Sequence, residues 1–339
     1  MHYRQIIKDA WVFTQTNKRL MKWYAFFPAL ISTIVGVGYL IYQYFAFIKS
    51  PIFSDAEHSF LTEIWLLILE FIRYHPGYIF PLTIVAIVVG VIYIFYPTFA
   101  QGAMIQIIAR KRNNQKVRLI DGIVYGLKSF LQLFEYHLIV RGFSVFAVLT
   151  EIAFVMRNLG TKAAELLMPV FGLITIIGII LGLLFTYAEL YIIVDREGVF
   201  KSMKRSAGLV VTHWQHTVLI FILLVLIGLR IIINMILILV IPILLFSAVG
   251  LVASYALGVI GYVIASVVGI IGLLVSGYLG GTLSVFTNAV WTFTFLELTD
   301  REELHARASR DEQRVQEVQE KVAFEKRRES TPDEDEEVE

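Results

Sequence analysis

Residues 78–108 read YIFPLTIVAIVVGVIYIFYPTFAQGAMIQII, a run of 31 residues without a charged side chain. A helix needs about 20 apolar residues to cross the hydrocarbon core of a membrane. The run is therefore long enough to span a bilayer with residues to spare. Pro97, which cannot donate a backbone hydrogen bond, predicts a break point within it.

Similar apolar runs recur along the chain, and 57% of its 339 residues are hydrophobic. Soluble domains are about 45–50% apolar. We therefore predict an all-α polytopic membrane bundle with about six transmembrane helices. The predicted spans are about 23–48, 78–108, 131–156, 166–194, 217–245 and 260–297.

Basic residues alternate between the segments that connect these spans. Lysine and arginine are frequent before the first span, after the second and after the fourth. The intervening segments 49–75, 157–165 and 246–259 hold few of them. Cytoplasmic loops carry the excess of Lys and Arg, so we expect a protein of the cell membrane with both termini in the cytoplasm.

The number of spans depends on residues 246–297. This stretch holds enough apolar residues for two spans, near 249–270 and 273–296, which would give seven helices and an outer C-terminus. The small and polar residues of 247–260 suit an outer turn and favour six.

A weak internal repeat divides the six spans into three hairpins. A segment that mixes apolar and charged residues at helical spacing precedes each hairpin and leads to an aromatic residue at the mouth of the next span. Such segments favour cytoplasmic interfacial helices. They are residues 7–13, 119–125 and 199–205.

The chain divides by composition into three parts. Residues 1–297 form the predicted transmembrane domain, and 298–329 form a charged cytoplasmic helix. Imperfect heptads in this helix leave a short coiled coil and a single solvated helix as alternatives. Residues 330–339 are acidic and predicted to be disordered.

Residues 189–209 read ELYIIVDREGVFKSMKRSAGL and are followed by Trp214. This pattern resembles a signature of uncharacterised prokaryotic six-span membrane families. In that signature an acidic turn ends in glycine, a basic helix with Ser and Leu follows, and a Trp precedes the next span. These include relatives of the glycerophosphoryl diester phosphodiesterase membrane domain. Trp11 and Phe27-Pro28 are also similar. The resemblance covers residues 1–297 and implies a six-helix membrane fold but no activity, since the catalytic phosphodiesterase domain has no counterpart here.

Arg230 is the most conspicuous candidate for a binding residue. It lies in the middle of the fifth predicted span, with Asn234 one turn further on. A charge at the bilayer centre costs about 2.5–3.5 kcal/mol on insertion scales, so it normally faces the protein interior. Glu151 and Glu189 are candidate partners. An anion or lipid-headgroup site and a purely structural ion pair both remain open.

The third predicted span is unusually polar, with Glu135, His137, Arg141 and Glu151. Such a helix would line a central cavity in which Glu151 could meet Arg230. The alternative is a peripheral helix from which Arg141 extends to the membrane surface.

His213 and His216 lie on one helical face around Trp214. A zinc site needs about four ligands, at least three of them from protein, and no acidic residue lies close in sequence. The pattern therefore favours an interfacial cluster, and we predict neither a metal nor a cofactor.

The last span carries small residues at steps of three or four, which indicates close helix packing or a homodimer face. The C-terminal helix is a second candidate for oligomerisation. The small residues are Gly261, Ala265, Gly269, Gly272, Ser276, Gly280, Ser284 and Asn288.

The sequence contains none of the common enzyme motifs, such as the phosphate-binding loop or the dinucleotide fingerprint. Its net charge of +1 gives no indication of nucleic-acid binding. We expect a non-enzymatic module that binds membrane lipids, acts as a scaffold or organises the membrane. A small-solute transporter or channel is the alternative, and an enzyme acting on lipid headgroups through Glu189, His213 and His216 is the third.

Overall fold

The computed structural model describes residues 3–48, 60–229, 233, 236 and 267–300. These residues form helices, and no β-strand occurs among them. The predicted all-α fold is therefore confirmed. The chain divides into two compact units, Met1–Phe293 and Thr294–Glu339, and the contacts described below belong to the first.

Twelve α-helices occur in the described ranges, with a π turn at Lys22–Phe26 and a 3₁₀ turn at Pro76–Tyr78. In chain order they are α1 (Tyr3–Thr16), α2 (Lys18–Met21), α3 (Phe27–Ile48), α4 (Phe60–Tyr74), α5 (Ile79–Arg112), α6 (Asp121–Arg141), α7 (Val145–Leu159), α8 (Thr161–Leu184), α9 (Ala188–Ile193), α10 (Val199–Thr212), α11 (Trp214–Leu229) and α12 (Val267–Asp300).

Several of these helices are long and apolar enough to cross a membrane, which makes this a membrane-embedded protein. Helices α10 and α11 together qualify as a further span but are bent by 97°. The count of six stays a prediction, because most of residues 230–266 lie outside the described part. The four continuous candidates among the described residues are Lys18–Ile48, Pro76–Arg112, Thr161–Leu184 and Val267–Asp300.

The third predicted span, 131–156, falls on two helices. Helix α6 ends at Arg141, and α7 begins at Val145. Ser144 caps α7, because its hydroxyl oxygen accepts a hydrogen bond of 3.1 Å from the Ala147 backbone N–H. The apolar run is thus interrupted, and whether the pair crosses the membrane stays a prediction.

The first long helix is interrupted by the π turn Lys22–Phe26. In a π-helix each backbone N–H donates to the carbonyl five residues earlier. Pro28 follows this turn and has no N–H, so it cannot donate to the Trp23 carbonyl. The Tyr96 hydroxyl of α5 donates to that carbonyl instead, at 2.7 Å. The carbonyl group that loses its partner at the interruption of one helix therefore accepts a hydrogen bond from the neighbouring helix.

Helix α5 continues through Pro97, where the sequence predicts a break. Before Pro97 its side chains are mostly exposed and apolar, as expected of a surface that faces lipid. Beyond Pro97, most residues from Thr98 to Ala109 are buried. The main core therefore lies around the C-terminal half of α5, with α1, α11 and α12. Its members include Ile6, Ala10, Ala103, Met104, Ile107, Ile220, Phe286 and Ala289.

Glycines allow α5 and α6 to approach closely. A Cβ atom on Gly102 would lie 2.7 Å from the Ser129 Oγ, and one on Gly126 would lie 2.8 Å from the Phe99 carbonyl oxygen. This contact holds the polar face of α6 against α5, where the candidate site lies.

The small residues of α12 are partly used within the chain. Gly277 faces α3, where an added Cβ would meet Leu30 at 3.1 Å, and Gly281 faces the π turn, where an added Cβ would meet Phe26 at 3.0 Å. Gly269 has open space around it. Core packing thus accounts for one side of this helix, and the homodimer face stays a prediction.

Candidate functional site

Glu189 is the predicted site residue that the structure places in a polar cluster. It belongs to α9, which begins just after the turn that ends α8. Its Oε1 lies 2.9 Å from His137 Nε2 of α6, and its Oε2 accepts a hydrogen bond from the Gln101 amide of α5. Thr98 Oγ lies 3.4 Å from the other ring nitrogen of His137. One carboxylate therefore connects three helices.

The His137–Glu189 pair is a side-chain contact between α6 and α9. A carboxylate partner fixes the orientation and tautomer of a histidine ring. The two side chains are 30% and 26% exposed, so the pair is partly buried. It can serve as a structural contact that holds α6 against α9.

Sequence reasoning selected Glu189 and His137 separately and missed Thr98 and Gln101. These two polar residues are three positions apart, on one face of α5 directly after Pro97. Two hydrogen-bonding side chains one turn apart in an uncharged span were the available signal.

A cavity of about 260 Å³ lies beside this cluster, among the π turn, α3, α5 and α12. Gln101 belongs to both, since its amide nitrogen binds Glu189 and its side chain lines the cavity. Pro28 and Pro97 line it as well, so it forms where both helices lack a backbone donor. Its polar lining residues are Tyr24, Ser32, Gln101, Ser284 and Asn288.

A second pocket, of about 140 Å³, lies among α5, α6 and the turn after α9. Lys128 and Arg196 line it, and both side chains are exposed. Neither forms an ion pair with a described residue. Arg196 has a φ of +57°, a left-handed conformation that is uncommon for a non-glycine residue and often occurs at functional sites. The floor of this basic pocket consists of Gln106, Tyr125, Ser129, Gln132, Ile192 and Ile193.

A compact ion-pair network follows the same turn. Glu197 Oε1 lies 2.9 Å from Lys201 Nζ and 2.8 Å from the Arg205 guanidinium, which also contacts Asp195 at 3.2 Å. Desolvation acts to raise the pKa of Glu197, but the hydrogen bonds from Lys201 and Arg205 outweigh it and hold the pKa below its ordinary value. Arg196 takes no part in this network, so neither of its two carboxylates neutralises the Arg196 charge.

The two predicted histidines lie at the bend between α10 and α11. The His213 and His216 rings are stacked with centroids 6.2 Å apart, and the Tyr3 hydroxyl contacts His216 Nδ1. Trp214 is 57% exposed, and its location at the membrane surface stays a prediction. The described part of the chain contains no group of three or more His, Cys, Asp or Glu side chains that could hold a metal ion.

The remaining predicted site residues are not brought together. Glu151 is exposed on α7. Arg141 ends α6, but its side chain lies outside the described part of the chain, as do Arg230 and Asn234. The contact between Arg230 and a glutamate therefore stays a prediction.

The sequence and the fold were compared with protein-family models, curated proteins and solved structures, and none of the three comparisons gives a match.

Proposed function

We propose that this chain is a non-enzymatic membrane module that binds the phosphate group of anionic lipids in its basic pocket. The observation that carries the proposal is the pair of exposed cations, Lys128 and Arg196, beside one pocket. No carboxylate lines that pocket, so nothing in its lining neutralises the pair.

The lining suits a phosphate group. An ammonium and a guanidinium both bind phosphate oxygens, and the guanidinium does so with two parallel hydrogen bonds. Gln132, a half-buried residue of the same lining, adds an amide donor. The Gln106 side chain is already engaged, because its amide donates to the Ile193 carbonyl and accepts a hydrogen bond from Arg110. We therefore assign it no role in phosphate binding.

The surroundings favour a lipid over free phosphate. Leu127 and Leu131, which flank Lys128 on α6, are 63% and 73% exposed. Apolar side chains next to a phosphate site can contact acyl chains while the cations hold the headgroup. In this proposal the pocket faces the cytoplasmic leaflet of the cell membrane and both chain termini are cytoplasmic, as the distribution of Lys and Arg predicts.

The other two functions have less support from the described residues. An enzyme acting on headgroups through Glu189, His213 and His216 would need them together, and the described contacts join Glu189 to His137 and His216 to Tyr3. A transporter would use a polar cavity, and the larger cavity is a candidate for that role.

The experiment compares lipid binding by the parent chain and by a Lys128→Ala/Arg196→Ala variant. Purified protein in neutral detergent is titrated with phosphatidylglycerol or phosphatidylcholine, and bound lipid is counted by native mass spectrometry. Each cation near an anionic membrane surface contributes about 1 kcal/mol, so the affinity for phosphatidylglycerol should fall roughly ten- to thirtyfold.

Lys204→Ala is the matched control, since Lys204 is an exposed cation on α10 without an ion pair to a described residue. It should leave lipid binding unchanged. An equal loss in the control, or no loss in the double variant, contradicts the proposal. Competition by inorganic phosphate at millimolar concentration would show that the pocket takes free phosphate instead.

A further inference from the structure

The larger cavity, of about 260 Å³, is separate from the basic pocket and shares no lining residue with it. None of its lining residues carries a charge. Its polar atoms come from hydroxyl and amide groups of the π turn, α3, α5 and α12. These residues are Tyr24, Ser32, Gln101, Ser284 and Asn288.

Three of these polar side chains already donate a hydrogen bond. The Tyr24 hydroxyl donates to the Leu119 carbonyl at 2.8 Å, and the Gln101 amide nitrogen donates to Glu189. The Asn288 amide nitrogen donates at 2.8 Å to the carbonyl one turn earlier on α12. The amide oxygens of Gln101 and Asn288 accept no hydrogen bond from a described residue. The lining therefore offers these two amide oxygens and the oxygen atoms of three hydroxyl groups as possible ligands.

Neutral oxygen atoms around an uncharged cavity suit a ligand that carries positive charge. Hard cations are bound by oxygen ligands, and interrupted membrane helices coordinate alkali-metal ions with neutral oxygens. The Glu189 carboxylate lies one side chain away, behind Gln101, and its negative charge favours a cation without blocking the cavity.

We propose that this cavity is a binding site for a small monovalent cation, either a partly hydrated alkali-metal ion or a small ammonium ion. The volume is many times the about 30 Å³ that one water molecule occupies in the liquid. That is too large for a bare ion and sufficient for an ion with part of its hydration shell. The proposal does not depend on the lipid site.

The test measures the melting temperature of the purified chain in neutral detergent against the concentration of NaCl, KCl or ethylammonium chloride. N-methylglucamine chloride at equal ionic strength serves as the bulky organic-cation control. Binding to the folded state gives a saturable rise in melting temperature with at least one of the small cations. Alkali-metal salts and the ammonium salt distinguish the two ligand types.

Asn288→Leu keeps the side-chain size and removes one acceptor, so the apparent Kd should rise about tenfold, the effect of one lost polar contact. Asn158→Leu is the matched control, because Asn158 makes the same bond to a carbonyl one turn earlier, at 2.8 Å, outside the cavity. Ser32→Ala, at an exposed position, provides a second cavity variant if Asn288→Leu does not fold.

Two results would overturn the cation site. One is an equal rise with N-methylglucamine, which reports ionic strength alone. The other is an unchanged Kd in the cavity variant that folds, which means that the cavity holds only water.

Discussion

The His137 Nε2 and the Glu189 Oε1 lie 2.9 Å apart. This contact joins α6 to α9, although the two residues are 52 positions apart in sequence. Because the same carboxylate also accepts from Gln101, the contact fixes α9 against α5 as well. This places one polar pair beside both the polar cavity and the turn that leads to the basic pocket.

A double-mutant cycle tests the His137–Glu189 contact. Glu189→Gln and His137→Gln should each destabilise the fold by about 1–2 kcal/mol, because a hydrogen bond to a charged group is lost at a partly buried position. The double variant should be little worse than either single one, since both remove the same contact. The measurement is thermal unfolding in detergent. Glu135→Gln, at an exposed position on the same helix, is the control, and additive losses would show that the two residues act independently.

The long helices were predictable because their signal is local. The uncharged run 78–108 corresponds to α5, Ile79–Arg112, and differs from it by a few residues at the C-terminal end. Hydropathy also predicts the first, fourth and last runs. It gives a single run over 131–156 because a run average does not register a single capping serine between two apolar helices.

The site was predictable only in part because its contacts are long-range. Glu189 and His137 are conspicuous as polar residues in apolar surroundings, but nothing in their spacing indicates that they meet. The basic pocket is formed by Lys128 and Arg196 from different segments, and Arg196 acquires its position from a left-handed turn. Such geometry follows from packing and not from periodicity.

The packing of α8 depends on the absence of a side chain at Gly178. A Cβ atom there would lie 2.0 Å from the Phe143 carbonyl oxygen, in the break between α6 and α7. Gly178→Ala should therefore destabilise the fold by about 1–3 kcal/mol, since the backbone must shift. Gly182→Ala, on the same helix with nothing within 4 Å, should be neutral or stabilising. Melting temperatures in detergent compare the two, and an equal effect of both substitutions would contradict the close contact.

The Glu197 network predicts a pH dependence of stability. The pKa of Glu197 is lowered from its ordinary value of 4.5, so its ion pairs stabilise the fold above that pH and cease to do so as pH falls through the lowered pKa. Glu197→Gln should lower the melting temperature at pH 7, and the difference from the parent chain should shrink below about pH 4. Glu165→Gln, at an exposed position, is the control. A difference that stays constant from pH 7 to pH 3 would show that the lost charge is not the cause.

The predicted orientation can be tested directly because the chain contains no cysteine. Single cysteines are introduced at three exposed or terminal positions, as Lys116→Cys, Lys162→Cys and Ser330→Cys, and intact cells are treated with a membrane-impermeant maleimide. Basic loops remain in the cytoplasm, so Lys162→Cys should be labelled in intact cells and Lys116→Cys only after permeabilisation. With six spans, Ser330→Cys should behave like Lys116→Cys. Labelling of Ser330→Cys in intact cells would instead show an odd number of spans and place the acidic tail outside.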